Sequence, residues 1–141
     1  MVDPSDVQLL AEHLSAHLDQ LEASDWQACE DARLRSAMSR SYYSVFLQIK
    51  QRVWEYDRTF DFPKHKVHAK VAWAFRAIAP RRAGEMAKLL TKRNDADYTL
   101  AGQYDAIKAE DATDSALRCL EAVKAWPDED VAMFISALQA S

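Results

Sequence analysis

Residues 25–62 contain neither glycine nor proline, and this uninterrupted run decides most of what the chain can become. With no residue to break or reverse the backbone, and with apolar positions recurring every three or four residues, the stretch reads as one long helix. Ser24-Asp25-Trp26-Gln27 has the pattern of a capping box that opens it, and the periodicity carries it to about residue 57. A helix of that length serves as the spine of a domain. The rest of the chain has the same character. Two Gly and four Pro among 141 residues, with no β-branched runs, point to an all-α protein, an up-and-down bundle of five to six helices. A chain of this length fits one domain and buries about two thirds of the surface it exposes when unfolded.

The other elements follow from caps and apolar spacing. Asp3, Pro4 and Asp6 suit the first turn of a helix whose seam is Val7, Leu10, Ala11, Leu14, Leu18 and Leu21. In the long helix, Met38, Tyr42, Val45, Phe46 and Ile49 supply bulk, while Ser36, Ala37, Ser39, Ser41 and Ser44 allow a neighbour to approach. A loop from Arg58 to Lys64 tucks Phe60 and Phe62 onto the core. A helix from Lys64 points Val67, Val71, Ala74, Phe75 and Ile78 inward. Two more helices carry Ala109, Ala112, Ala116, Leu120 and Val123, and then, after Pro127, Val131, Phe134, Ile135 and Leu138.

Several function classes are set aside by composition. Cys29 and Cys119 are too few and too far apart for a zinc site or a disulfide framework, so they read as free thiols of a reducing compartment. His13 and His17 lie four apart but lack a third ligand at a recognisable spacing, so no metal or cofactor is expected. The N-terminal stretch has no basic region ahead of an apolar core, and no segment is apolar for some twenty residues. A soluble, cytoplasmic protein with no membrane partner is the expectation.

Residues 80–98, PRRAGEMAKLLTKRNDADY, concentrate the chemistry. Ala83, Met86, Ala87 and Leu90 share one helix face, and the same rhythm continues to Arg93, Asn94 and Asp97. A face that starts by packing a core therefore ends in a guanidinium, an amide and a carboxylate. Such groups are costly to bury unless paired or used, and the alternative is a helix that runs past its core into solvent. Charge is strongly partitioned around this segment. Residues 1–32 hold eight acids and no Lys or Arg, residues 33–93 hold fifteen Lys or Arg against four acids, and residues 94–141 hold three against ten. A basic middle attracts polyanions, unless the acidic ends neutralise it. Arg40, flanked by hydroxyls one turn away, is either a buried structural hub or a phosphate contact.

Two passages in the expected order resemble the HEPN superfamily of small helical bundles. Arg35-Ser36-Ala37-Met38-Ser39-Arg40-Ser41-Tyr42-Tyr43-Ser44-Val45-Phe46 is similar to the Arg-x-x-x-Ser-Arg-x-Tyr-Tyr-x-x-Phe pattern of its long second helix. Lys92-Arg93-Asn94-Asp95-Ala96-Asp97-Tyr98 is similar to the Arg-Asn-x-Ala-Asp-Tyr ending of one branch. The resemblance implies a HEPN-like bundle over residues 1–126, with residues 127–141 forming a C-terminal helix that packs on the bundle or on a partner. It also implies a homodimer with paired motifs facing a basic cleft, a role in toxin–antitoxin or antiviral defence, and a minimal nucleotidyltransferase antitoxin as partner.

Many such proteins are metal-independent ribonucleases in which an arginine holds the scissile phosphate and a histidine moves the proton. Here no histidine follows Arg93, and Tyr98 stands in that region instead. A phenol with a pKa near 10 is about 4 kcal/mol worse than histidine as a base at neutral pH. The first expectation is therefore a module that binds RNA or a nucleotide, with Arg93 as phosphate anchor, Asn94 and Asp97 orienting it, Tyr98 bonding or stacking, and Arg40, Arg81, Arg82, Lys88 and Lys92 as the flanking field. The alternatives are an endoribonuclease using Arg93 with Tyr98 or with His65 or His68 from another helix, and a non-catalytic scaffold in which Arg40, Arg93 and Asp97 form a buried network.

Overall fold

In a computed structural model of the chain, the structure describes residues 23–98 and 106–141, with side chains described for 28–96 and 107–141. The run free of glycine and proline is a single helix, α1, Ala23–Tyr56. It is already formed at Ala23, so Ser24 lies inside it and is not its cap. Four more helices follow: α2 Val67–Ile78, α3 Pro80–Tyr98, α4 Ala106–Lys124 and α5 Asp128–Gln139. The described residues contain no strand, and the protein is all-α with helices packed on helices. The helix expected over residues 4–21 lies outside the described residues.

The chain divides into two compact units, Met1–Arg33 and Leu34–Ser141. Of the first, the start of α1 is described, where Arg33 donates to both Glu30 carboxylate oxygens at 2.6 and 3.0 Å. The second unit holds the core. From α1 it takes Leu34, Met38, Tyr42, Val45, Phe46, Ile49 and Val53, a stripe stepping by three or four residues. α2 contributes Val71, Ala74 and Phe75, α5 contributes Val131, Phe134 and Leu138, and these two helices pack together. The spacing Ala109, Ala112, Ala116, Val123 is the buried face of α4, with Cys119 buried among them and Leu120 only half-buried.

The outcome on α3 corrects the sequence pattern. Met86 is buried as expected, but Ala87 is exposed and Leu89 is buried, so the inward stripe is Met86, Leu89, Arg93 and Ala96. The pattern was ambiguous because alanine scores as apolar at either position, whereas the larger leucine gains more by burial. α2 also starts later than the periodicity suggested. Lys66 adopts a left-handed backbone, φ 52° and ψ 36°, which a helix interior excludes, so the loop runs to Lys66. Phe62 is buried in that loop and Phe60 is half-buried.

Two joints are tight. Only Ala79 separates α2 from α3; its N–H donates to Phe75 O at 2.9 Å and its carbonyl accepts from Arg82 N at 2.9 Å. Pro80 then occupies the first helical position, where a missing N–H costs nothing. Between α4 and α5, Arg52 of α1 donates to Trp126 O at 2.9 and 3.2 Å and to Asp128 Oδ1 at 2.8 Å. Trp126 lies between Phe75 and Phe134, at ring-centroid distances of 5.7 and 5.4 Å. Since Phe134 has no exposed surface, Phe134→Ala should cost about 3–5 kcal/mol in urea unfolding. A loss under about 1 kcal/mol would show that α5 adds little to the core.

Candidate functional site

Adjacent tyrosines on α1 face different surroundings because consecutive helical residues are about 100° apart. Tyr42 points into the core with no exposed surface, while Tyr43 is half-buried. A buried phenol needs a hydrogen-bond partner, and Tyr42 Oη meets His68 Nδ1 of α2 at 2.8 Å. Burial holds the Tyr42 hydroxyl well above the ordinary tyrosine range, so it stays protonated. The His68 ring is walled by Phe46, Tyr42 and Tyr43, with centroids at 4.6, 5.4 and 5.8 Å.

Arg93 enters the same cluster from α3. Its guanidinium carbon lies 5.2 Å from the Tyr43 ring centroid, Nη2 donates to Tyr43 Oη at 2.7 Å, and Nη1 donates to Asn94 Oδ1 at 2.9 Å. Nε is buried. A guanidinium on an aromatic face gains cation–π attraction, and the hydrogen bonds fix its plane. Nearby, Arg35 Nη1 donates to Ala96 O at 3.3 Å, tying α1 to the last turns of α3. Three helices thus bring a guanidinium, a phenol and an imidazole against one another.

His68 is held neutral. Its pKa lies below the ordinary 6.5, first through burial and then through the positive charges of Arg93 and Lys50. The two tautomers give different capabilities. If Nδ1 accepts from Tyr42, Nε2 carries a proton and can donate to an anion; if Nδ1 donates, Nε2 holds a lone pair and can act as a base. Among the described residues no cluster of three His, Cys, Asp or Glu could hold a metal, and no helix is long and apolar enough to cross a membrane.

The remaining sequence candidates fall in different places. Asn94 is exposed, with its amide oxygen taken by Arg93. Tyr98 ends α3, but its side chain and that of Asp97 lie outside the described residues. Arg40 is exposed, which excludes the buried hub; of the nearby hydroxyls, Ser41 Oγ donates to Ala37 O and Ser44 Oγ to Ser41 O, both at 2.8 Å, and Tyr43 Oη accepts from Arg93. Arg81 and Lys88 are exposed on α3 and Lys92 is half-buried. Arg82 is partly spent on Glu85 at 3.2 Å, and that carboxylate also accepts from Arg118 Nε at 2.6 Å, so it contributes less field than its charge suggests. Sequence reasoning kept His68 only as an alternative and gave Lys50 no role. The usable signal was Tyr42 itself, whose place in the buried stripe demanded a partner for its hydroxyl.

No family model, curated protein or solved structure matches the chain. The HEPN likeness rests on the two motifs alone.

Removing the charge that opposes protonation should raise the His68 pKa. Followed by NMR titration of the imidazole, Arg93→Ala and Lys50→Met should each move it upward, and wild type should titrate below 6.5. Because the folded value is depressed, the native state is favoured above the unfolded-state pKa of about 6.5 and loses that advantage as pH falls toward the folded value. Thermal stability should therefore drop on acidification, and less so in His68→Gln.

Proposed function

We propose that the chain is a HEPN-like helical module that binds RNA or a nucleotide, acting within a toxin–antitoxin or antiviral system. The observation that carries this reading is the convergence of Arg93, Tyr43 and neutral His68 from three helices on one spot of the basic segment. A guanidinium fixed on a tyrosine presents its N–H groups in a set plane, the arrangement that suits a phosphate. The neighbouring imidazole can donate to the same anion, and the phenol ring offers a stacking face. Lys88, Lys92, Arg81 and Arg40 supply a longer-range field that concentrates polyanions. A homodimer would place two such clusters in one cleft, and a minimal nucleotidyltransferase is the partner that the motif likeness suggests.

One feature favours a second reading, that of a metal-independent endoribonuclease. His68 and Arg93 both lie against the Tyr43 ring, so the histidine missing after Arg93 has a spatial substitute. With Nδ1–H donated to Tyr42, His68 Nε2 would take the proton from a ribose 2′-OH as that oxygen attacks the phosphate held by Arg93; the P–O5′ bond breaks and the departing 5′-oxygen takes a proton from water. Tyr98 is then not needed as a base.

Binding of a labelled RNA, followed by polarisation at rising salt, tests the first reading. Affinity should fall steeply, and Arg93→Ala should weaken binding and flatten the logarithmic salt dependence by about 0.7 for a single strand. If wild type binds no RNA while Arg93→Ala merely lowers the melting temperature, the cluster is a scaffold element. For the enzyme, EDTA-treated protein should yield a 2′,3′-cyclic phosphate product, and His68→Ala should abolish cleavage while keeping the RNA bound. Intact RNA in that assay, with binding retained, removes the nuclease.

A further inference from the structure

Further along α1 lies an open groove of about 530 Å³ lined by Leu47, Lys50, Gln51, Trp54, Glu55 and Arg58. What is paired in it and what is not differ sharply. The Glu55 carboxylate accepts from Gln51 Nε2 at 3.1 Å on its own helix. Lys50, by contrast, has its ammonium 4.7 Å from the Trp54 ring centroid, 5.5 Å from Phe62 and 5.7 Å from Phe46, and among the described residues no carboxylate pairs with it. Three aromatic faces thus position a cation that no acid among the described residues offsets. Arg58, exposed at the end of the groove, likewise has no acidic partner among the described residues.

Trp54 is fixed, carries the Lys50 ammonium over its ring, and is still partly open to water. Its indole N–H donates to Phe60 O at 3.2 Å and the Phe62 ring meets it edge-on at 6.1 Å, while 43% of the residue stays exposed. A large aromatic ring pinned at its edge and left in water is a stacking platform held at little further entropic cost. Trp54 also lies eleven residues beyond Tyr43 on α1. That is three turns within about 20° of the same face, and about 16 Å along the axis. Lys50 stands between the two along the helix, its ammonium 5.7 Å from the Phe46 ring centroid.

We propose that this groove is a second nucleotide subsite, in which the Trp54 indole stacks an unpaired base and Lys50 and Arg58 take the adjoining phosphates. The proposal rests on the RNA-binding reading and adds its substrate class: a strand unpaired at this point, because a base kept in a duplex cannot lie on the indole. Leu47, 59% exposed at the groove edge, extends the apolar surface under the base. Affinity for a strand that reaches both Arg93 and Trp54 exceeds that for a mononucleotide, because the second contact is made at high effective concentration.

The full chain is titrated with a labelled single-stranded RNA of roughly 12 nucleotides and with the same sequence as a duplex, each variant being checked for folding by circular dichroism. Trp54→Ala should weaken single-strand binding about tenfold and Trp54→Phe much less. Arg58→Gln, at an exposed position that cannot disturb the core, should flatten the salt dependence by about 0.7. If Trp54→Ala and Arg58→Gln bind like wild type while Arg93→Ala is weaker, the subsite is refuted and the RNA-binding reading stands. Equal affinity for duplex and single strand refutes the stacking step. No binding by wild type overturns both.

Discussion

A tyrosine with no exposed surface has to satisfy its hydroxyl inside the protein, and the bond from Tyr42 to His68 is where that requirement is met. Much of the second unit follows from it. The bond joins α2 to α1 where Val71, Ala74 and Phe75 face the core and His68 sits at its margin. It keeps one ring nitrogen of the imidazole occupied, and burial together with Arg93 and Lys50 keeps the ring neutral. With Tyr42 committed inward, Tyr43 is turned to the side, where its ring and hydroxyl receive Arg93.

The electrostatics of the basic segment are less uniform than its composition implies. Arg52 is spent on the carbonyl of Trp126 and on Asp128, and Arg82 shares Glu85 with Arg118. These groups hold helices together. Lys50 is instead placed on aromatic rings, which position a cation without neutralising it, and the Arg93 guanidinium lies over the Tyr43 ring. Along one side of α1, Lys50 stands between the aromatic rings of Tyr43 and Trp54, and Arg93 of α3 lies over the first of them. On the proposed RNA-binding reading, those rings and cations are what a nucleotide strand would contact.

Much of this architecture was legible in the residues. The absence of glycine and proline over residues 25–62 marked α1, three-and-four spacing marked the inner faces of α2, α4 and α5, and Pro80 and Pro127 marked two helix starts. Misreadings arose where a local pattern had two solutions. Ala87 and Leu89 compete for the inside of α3, and only packing against other helices chooses between them. The buried places of Cys119 and Trp126 went unread for a similar reason, since a lone cysteine or tryptophan near a helix end carries no period of its own. The candidate site was half legible. Arg93 stood out as a charge on an apolar rhythm, whereas its meeting with Tyr43, and the approach of His68, depend on how separate helices dock, which no spacing within one helix encodes. The side chains of Asp97 and Tyr98, and the helix expected over residues 4–21, lie outside what the structure describes.

The single-residue joint at Ala79 carries a consequence for how such a chain can vary. The register of His68 on α2 and that of Arg93 on α3 are coupled through one peptide unit and a proline, so adding or removing a residue there would swing α3 by about 100° about its axis. The guanidinium would leave the tyrosine and the imidazole would lose its charged neighbour in the same step. The loop over residues 57–66 has no such gearing, because its length can change without rotating either helix that bears the cluster. Length variation between related chains should therefore be abundant in that loop and absent at the hinge, a signature of selection on geometry more than on side-chain identity.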